Sequence, residues 1–164
     1  MSEKIVLRKA IQSDAPAITK VYLTSRKELL AFAPLVHSDE SVHQWIRDIL
    51  IPADQVTVAE ENGTIIGMMV LSKQNNIGWI EQLYLLPTAT GKGIGSLFVA
   101  AAKATLGSPI RLHTFQENIN AKHFYERHGF RLIALSDGST NEEHCPDALY
   151  EWRSSTFSSI VDDL

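Results

Sequence analysis

Between Leu83 and Ser96 the chain reads Leu-Tyr-Leu-Leu-Pro-Thr-Ala-Thr-Gly-Lys-Gly-Ile-Gly-Ser, an apolar run that breaks into three alternating glycines, Gly91, Gly93 and Gly95. A strand that feeds through such a turn directly into a helix gathers backbone N–H groups at one point, because the first turn of a helix has no intrahelical acceptors for its donors. That point suits an anion. Glycine serves it twice, by taking up φ angles that other residues avoid and by letting a phosphate approach the main chain where no Cβ intervenes. A tight turn with close helix-to-sheet packing would use the same residues. Two common phosphate motifs do not match: in a P-loop Gly-Lys is followed by Ser or Thr, whereas Gly91-Lys92 is followed by Gly93 and position 86 is Leu. A dinucleotide fingerprint needs glycine at Ser96 and an acidic residue near the end of the next strand, yet Ile110 to Thr114 closes on His113 and Thr114.

Downstream lies Asn118-Ile119-Asn120-Ala121-Lys122-His123-Phe124-Tyr125-Glu126-Arg127-His128-Gly129-Phe130. Together the two runs resemble the GNAT superfamily of acyl-CoA-dependent N-acyltransferases. That family's pyrophosphate loop has the form Gln/Arg-x-x-Gly-x-Gly/Ala after such a strand, and Thr90, Gly91, Lys92, Gly93, Ile94 and Gly95 occupy its places. The second run is similar to the family's Asn-x-x-Ala-x-x-Phe-Tyr-x-x-x-Gly-Phe segment, with every named place filled. One place departs from the pattern: Thr90 stands where a long Gln or Arg side chain would help to hold the pyrophosphate, leaving the backbone donors and Lys92. The order of strands and helices agrees from near Ile5 to Arg153.

The resemblance implies acetyl-CoA as cosubstrate, held by Leu83, Tyr84, Leu85, the loop from Thr90 to Ser96, Asn118, Ala121 and Tyr125. In such folds the strand ending at Pro87 splays from its neighbour, and the main chain around Leu85 pairs with the pantetheine arm. The Leu85 N–H would polarise the thioester carbonyl, as a preorganised donor aimed at charge that develops in the transition state. Tyr125 would protonate the departing thiolate. Glu81, two positions before Leu83, stands at the family's place for a general base, a role helped by partial withdrawal from solvent; a solvent-facing or ion-paired strand residue is the alternative. A core aromatic is the alternative for Tyr125, and a helix cap is a role that Asn118 can combine with cofactor binding. Phe32, His37, His43 and Trp45 lie in the region that covers the family's acceptor site. The acceptor is then a small-molecule amine or a protein amino group, and family habit implies a homodimer. With the long side chain missing at Thr90, the competing reading is a noncatalytic module of the same fold that senses CoA or an acyl-CoA.

These residues need a scaffold. Ile5 and Leu7 open a strand; Ser13, Asp14 and Pro16 mark the start of a helix over about Ala15 to Leu30, whose apolar face is Ile18, Val21, Tyr22, Leu29 and Leu30, with Pro34 as its stop. Ser38 caps a shorter helix that ends by Pro52. Val56 to Glu60 and Thr64 to Leu71 are strands joined through Asn62-Gly63, a hairpin pair that accepts positive φ. Trp79 to Leu86 is a third strand, and an Ala-rich helix runs from about Gly93 to Leu106. Ile110 to Thr114, Phe130 to Leu135 and Ala148 to Arg153 are strands, with a helix over Ala121 to His128. These patterns predict one α+β domain, residues 1–153, with a central mixed, mostly antiparallel sheet of about six to seven strands and about four helices. Residues 154–164 read as a loosely held tail. The resemblance adds that this GNAT-like sheet is splayed at the acetyl-CoA site.

With 164 residues the chain can bury a core without staples. A net charge of -4 lacks the basic excess that nucleic acid binding draws on. Cys145 is the lone cysteine, so no intramolecular disulfide can form, and a reducing compartment fits. No segment approaches the roughly 20 apolar residues that span a bilayer, and Met1 to Leu7 has no long apolar core behind a basic start, so the expectation is a cytoplasmic protein without a membrane partner. Six histidines are present, but His123 and His128 are not at metal-binding helical spacing, and no metal is expected. Cys145 lacks a Cys-His-Asn pattern around it and reads as structural, and the acidic cluster of Glu142, Glu143 and Asp147 suits either attraction of a cationic amine or a solvated loop.

Overall fold

The computed structural model describes residues 4–33 and 35–154. Pro34, expected to stop the first helix, and positions 155–164 of the expected tail lie outside the described residues. Among the described residues seven strands form one mixed sheet in the order β1-β2-β3-β4-β5-β7-β6. The strands are β1 (Ile5–Lys9), β2 (Val56–Glu61), β3 (Thr64–Gln74), β4 (Ile77–Leu85), β5 (Ile110–Phe115), β6 (Arg131–Ser136) and β7 (Asp147–Trp152). The described residues also form the α-helices α1 (Ala15–Leu29), α2 (Asp39–Trp45), α3 (Ile94–Leu106) and α4 (Ile119–Arg127). The chain divides into two compact units, Met1–Leu71 with Glu81–Phe98 and Ser72–Ile80 with Val99–Leu164, so β3, β4 and α3 each run from one unit into the other.

In the first unit β1 and β2 pair antiparallel from Ile5↔Glu61 to Lys9↔Thr57. β2 and β3 also pair antiparallel, with a register shift between Ala59 and Glu60. The expected Asn-Gly turn forms, with φ of 51° at Asn62 and 83° at Gly63. Ile18 and Val21 of α1, Val42 of α2, Val58 of β2 and Met68 of β3 belong to one buried cluster, each side chain contributing roughly 1.5–3 kcal/mol by leaving water. Two expectations for α1 are corrected. Asp14 precedes α1 without a side-chain cap bond to it; its carboxylate accepts from Ile11 N at 2.8 Å, capping the 3-10 turn Gln12–Asp14 that leads into the helix, and from Arg8 Nη1 and Nη2 at 2.8 and 3.1 Å as a charge-assisted pair. The buried stripe also continues through Ser25 and Arg26, at 1% and 5% exposure, while Leu29 is 48% exposed. Ser38 caps α2 as expected, accepting from Ser41 N at 3.1 Å, and the chain then passes through a π-helical turn at Ile46–Leu50.

In the second unit β5 pairs antiparallel with β7 from Ile110↔Trp152 to Phe115↔Asp147, and β6 lies on the other side of β7 with a register shift between Leu132 and Ala134. β4 and β5 pair in parallel, at Gly78↔Ile110 and Trp79↔Arg111, which requires a crossover connection, and α3 lies in it. A Cβ on Gly78 would sit 2.8 Å from Leu106 Cβ, so α3 approaches the strand there only because glycine has no side chain. Tyr150, Ile110 and Leu112 are buried at 0–1% exposure. Fully buried Tyr150 donates to Glu126 Oε2 at 3.2 Å. Lys103 donates to His128 O at 2.8 Å and lies 4.7 Å from the centre of the Trp152 ring. Observed element ends fall within about two residues of the expected ones, apart from β3, which runs on to Gln74, and α2, whose α-helical part stops at Trp45 before the π-helical turn.

Candidate active site

Most of the expected site residues lie in the first unit. At the end of β4 the Leu86 N–H donates to Ile66 O of β3 at 2.9 Å. Successive peptides of an extended strand point to opposite edges, so the N–H and C=O of Leu85 face the edge of β4 away from β3. Ser25 Oγ of α1 donates to that Leu85 carbonyl. The Leu85 side chain packs on β3, where a Cβ on Gly67 would come within 2.7 Å of Leu85 Cδ2 and 2.9 Å of Phe98 Cε2. Tyr84 points to α1 instead, its ring edge-on to Tyr22 at 5.1 Å, and Tyr22 in turn is edge-on to Trp45 of α2 at 5.8 Å. Glu81 is exposed rather than partly buried.

Beyond β4 a short 3-10 turn, Pro87–Ala89, leads to the glycines. Thr90 Oγ1 donates back to Pro87 O at 2.8 Å, closing this turn. Gly91 and Gly93 have φ of 79° and 82°, and beyond their immediate chain neighbours no heavy atom of the described residues lies within 4 Å of where their Cβ would stand. Glycine is therefore required by backbone conformation, while the space beside it is open to a ligand. Gly93 O accepts from Leu97 N at 3.2 Å, so the helix proper starts at Ile94. Lys92 Nζ stands 3.9 Å from Glu61 Oε1, and part of its charge is balanced by this carboxylate.

Of the residues expected at the acceptor side, Trp45 joins the cluster with Tyr22 and Tyr84. Phe32 is half-buried beyond the end of α1, His43 half-buried on α2, and His37 exposed between them. Ser25, Arg26 and Tyr22 were not expected in functional positions. Arg26 Nη1 lies 3.4 Å from Tyr22 Oη. Their signal was present: two polar residues, Ser25 and Arg26, interrupt the apolar row of α1 one turn after Val21 and Tyr22.

In the second unit Asn118 is the N-cap of α4, its Oδ1 accepting from Ala121 N at 3.2 Å. Tyr125, seven residues on, is buried at 8% exposure. Its ring is edge-on to Phe124 at 5.1 Å and to Phe130 at 5.6 Å, so the core-aromatic role holds for its ring. His128 has its pKa lowered, by burial first and then by Lys103 and Arg127. Cys145 sits in a hydrogen-bonded loop, its N–H donating to Asn141 Oδ1 at 3.2 Å while Asn141 Nδ2 donates to Cys145 O at 2.7 Å. Among the described residues no group of three or more His, Cys, Asp or Glu is placed to hold a metal ion, and no helix is long and apolar enough to cross a membrane.

Residues 22–130, which include both motifs, match the model of the acetyltransferase (GNAT) family. The chain belongs to the GNAT acetyltransferase family. Its fold is that of solved structures from this group. PaiA N-acetyltransferase from Thermoplasma acidophilum, in complex with coenzyme A, is 22% identical with a TM-score of 0.71, over 92% of this chain and 99% of that one. Apo YjaB from Escherichia coli is 20% identical with a TM-score of 0.73, over 91% and 97%. Ribosomal-protein-alanine N-acetyltransferase from Brucella melitensis is 17% identical with a TM-score of 0.71, over 91% and 99%. No curated protein matches the sequence. A GNAT member uses acetyl-CoA, and two features of the first unit fit such a ligand: the open space beside Gly91 and Gly93 at a helix N-terminus, and a Leu85 N–H that points away from β3.

Proposed function

We propose that this GNAT protein transfers the acetyl group of acetyl-CoA directly to a primary amine, on a small molecule or a protein. The orientation of Leu85 carries the reading, because a main-chain N–H turned out from β3 at the end of β4 is the donor that a thioester carbonyl needs. The backbone N–H groups of the glycine turn and of the first turn of α3 hold the pyrophosphate, an anion at a helix N-terminus. Acetyl-CoA supplies the activated acyl group. Leu83 and Leu85 align the pantetheine through their main chain, with Tyr84 between them, and Asn118 and Ala121 also contribute to holding the cofactor. Leu85 N–H stabilises the negative charge that develops on the carbonyl oxygen when the amine attacks. Glu81 removes the proton from the attacking amine, directly or through water, which its exposed position permits. Tyr125 gives its hydroxyl proton to the leaving thiolate, so the C–S bond breaks as the C–N bond forms and the products are amide and free CoA. The acceptor lies towards Phe32, His37, His43 and Trp45, and the cytoplasm is the compartment that suits the lone cysteine.

A second reading has an observation of its own. Thr90 is committed to the turn and Lys92 stands beside Glu61, so side-chain charge for the pyrophosphate is sparse, as a noncatalytic CoA sensor would tolerate. Free-thiol release from acetyl-CoA against a panel of amines, with calorimetry of CoA binding to wild type and Tyr125→Phe, separates the two. For the transferase, thiol release depends on the amine and kcat falls about a hundred-fold in Tyr125→Phe while CoA still binds. CoA binding without turnover on any amine supports the sensor; absence of CoA binding overturns both.

A further inference from the structure

Ser25 lies in the middle of α1 and is 1% exposed. A serine in a helix usually satisfies its hydroxyl on the carbonyl four residues back, and on this same helix Thr19 does so, donating to Ala15 O at 2.7 Å. Ser25 does not. Its hydroxyl reaches sixty residues along the chain to donate to Leu85 O. Alanine would suit the helix better, so local structure gives no reason for a hydroxyl here. The reason lies at the other end of the bond. The peptide that joins Leu85 to Leu86 is gripped on both edges of β4: its N–H is held by Ile66 O at 2.9 Å and its carbonyl by Ser25. With that peptide fixed, ψ of Leu85 is fixed, and so is the direction of the Leu85 N–H on the same edge as the held carbonyl.

We infer that Ser25 is a positioning residue for acetyl transfer, which locks the Leu85 peptide so that the Leu85 N–H stays aimed at the thioester carbonyl. The inference rests on the transferase reading above. Ser25 touches neither reactant: its proton is committed to Leu85 O, and it acts through the strand. Losing it leaves the Leu85 carbonyl without this donor and lets the peptide rotate, which degrades an oxyanion donor by misaiming it rather than by deleting it. Deletion of such a donor costs about a hundred-fold or more in kcat, so a misaimed one is expected to cost about ten-fold.

The test uses the full chain and the amine that gives the greatest thiol release with wild type. Ser25→Ala is compared with Ser25→Thr, which keeps the hydroxyl, and with Thr19→Val, which removes a buried helix hydroxyl bonded only within α1. The expected result is a kcat about ten-fold lower in Ser25→Ala with KM for acetyl-CoA within about two-fold of wild type, substantial recovery in Ser25→Thr, and wild-type kcat in Thr19→Val despite a lower Tm. Amide hydrogen exchange, read without any substrate, should quicken in Ser25→Ala at Leu86, whose N–H is held by Ile66 O, and this keeps the test decisive if the threonine variant folds poorly. An unchanged kcat in Ser25→Ala, unchanged exchange at the Leu86 amide, or an equal loss of kcat in Thr19→Val overturns the inference while leaving the transferase reading intact. A wild-type protein that turns over no amine overturns that reading and this inference with it.

Discussion

Replacing Gly67 by alanine tests how tightly the end of β4 is packed. The added methyl would lie 2.7 Å from Leu85 Cδ2, 2.9 Å from Phe98 Cε2 and 3.4 Å from Phe98 Cζ, against about 3.5–4.0 Å for unstrained carbon contacts. Leu85 can swing its side chain, but Phe98 is at 0% exposure and cannot turn out into solvent. Overpacking of this kind costs about 1–3 kcal/mol. Removing a glycine from the unfolded chain offsets roughly 0.4–1 kcal/mol of that. The net expectation for Gly67→Ala is a loss of about 1–2 kcal/mol, or a Tm lower by about 3–6 °C for a chain of this size. Circular dichroism melts and urea titrations with a shared m-value measure it. Because the methyl presses on Leu85 itself, kcat for thiol release should fall more than the folded fraction does. A Tm at or above that of wild type would refute the reasoning, since it would mean that β3, β4 and Phe98 part without cost and that packing does not constrain Leu85.

The acid limb of stability should be set by buried carboxylates. Asp14 is held below the usual carboxylate range chiefly by the hydrogen bond from Arg8, and Glu151, despite burial that pushes it up, is pulled down by Arg111 and Arg153. Both folded pKa values lie below the unfolded ones, so their contribution is complete above about pH 5 and is lost as pH falls through 4 and below. Urea unfolding of Asp14→Asn at pH 7 should show a loss of about 1 kcal/mol, because Arg8 is a third exposed and solvent screens the pair, and a shallower pH dependence between pH 5 and 3. A wild-type slope in Asp14→Asn would remove this carboxylate from the account. Gly138 has φ of 86°, and a Cβ there would run into the main chain of Cys145, so Gly138→Ala should displace the loop. Exchange of the Cys145 amide, which donates to Asn141 Oδ1, should accelerate by about ten-fold or more, and unchanged exchange would show that the loop adapts.

The strands and helices were legible along the chain because their signals are local. Asn62-Gly63 reads as a hairpin from two residues, Ser38 and Asn118 announce helix starts from one, and Gly91 and Gly93 mark a turn made at positive φ. The family resemblance rests on the same kind of information, two short motifs in order. Asp14 shows where local reading stops: a residue that looks like a cap of α1 caps the 3-10 turn before it and pairs with Arg8, a guanidinium from the preceding strand. Leu29 and Ser25 show it again. Periodicity alone puts Leu29 inside, but which part of a helical stripe is covered depends on where the partner elements end.

What the sequence by itself determined, then, was the family and the local elements: a strand that leads into a glycine-rich turn and a helix, and a cap at Asn118. What only the tertiary structure decided was direction and burial. The Leu85 peptide could face either edge of β4 until its neighbour bonded to Ile66, Glu81 could be buried or exposed, and the hydroxyl of Ser25 could close on its own helix. Each of these is settled by which distant group comes within hydrogen-bond reach or packing distance, and such long-range pairing leaves no periodic trace in the order of the amino acids.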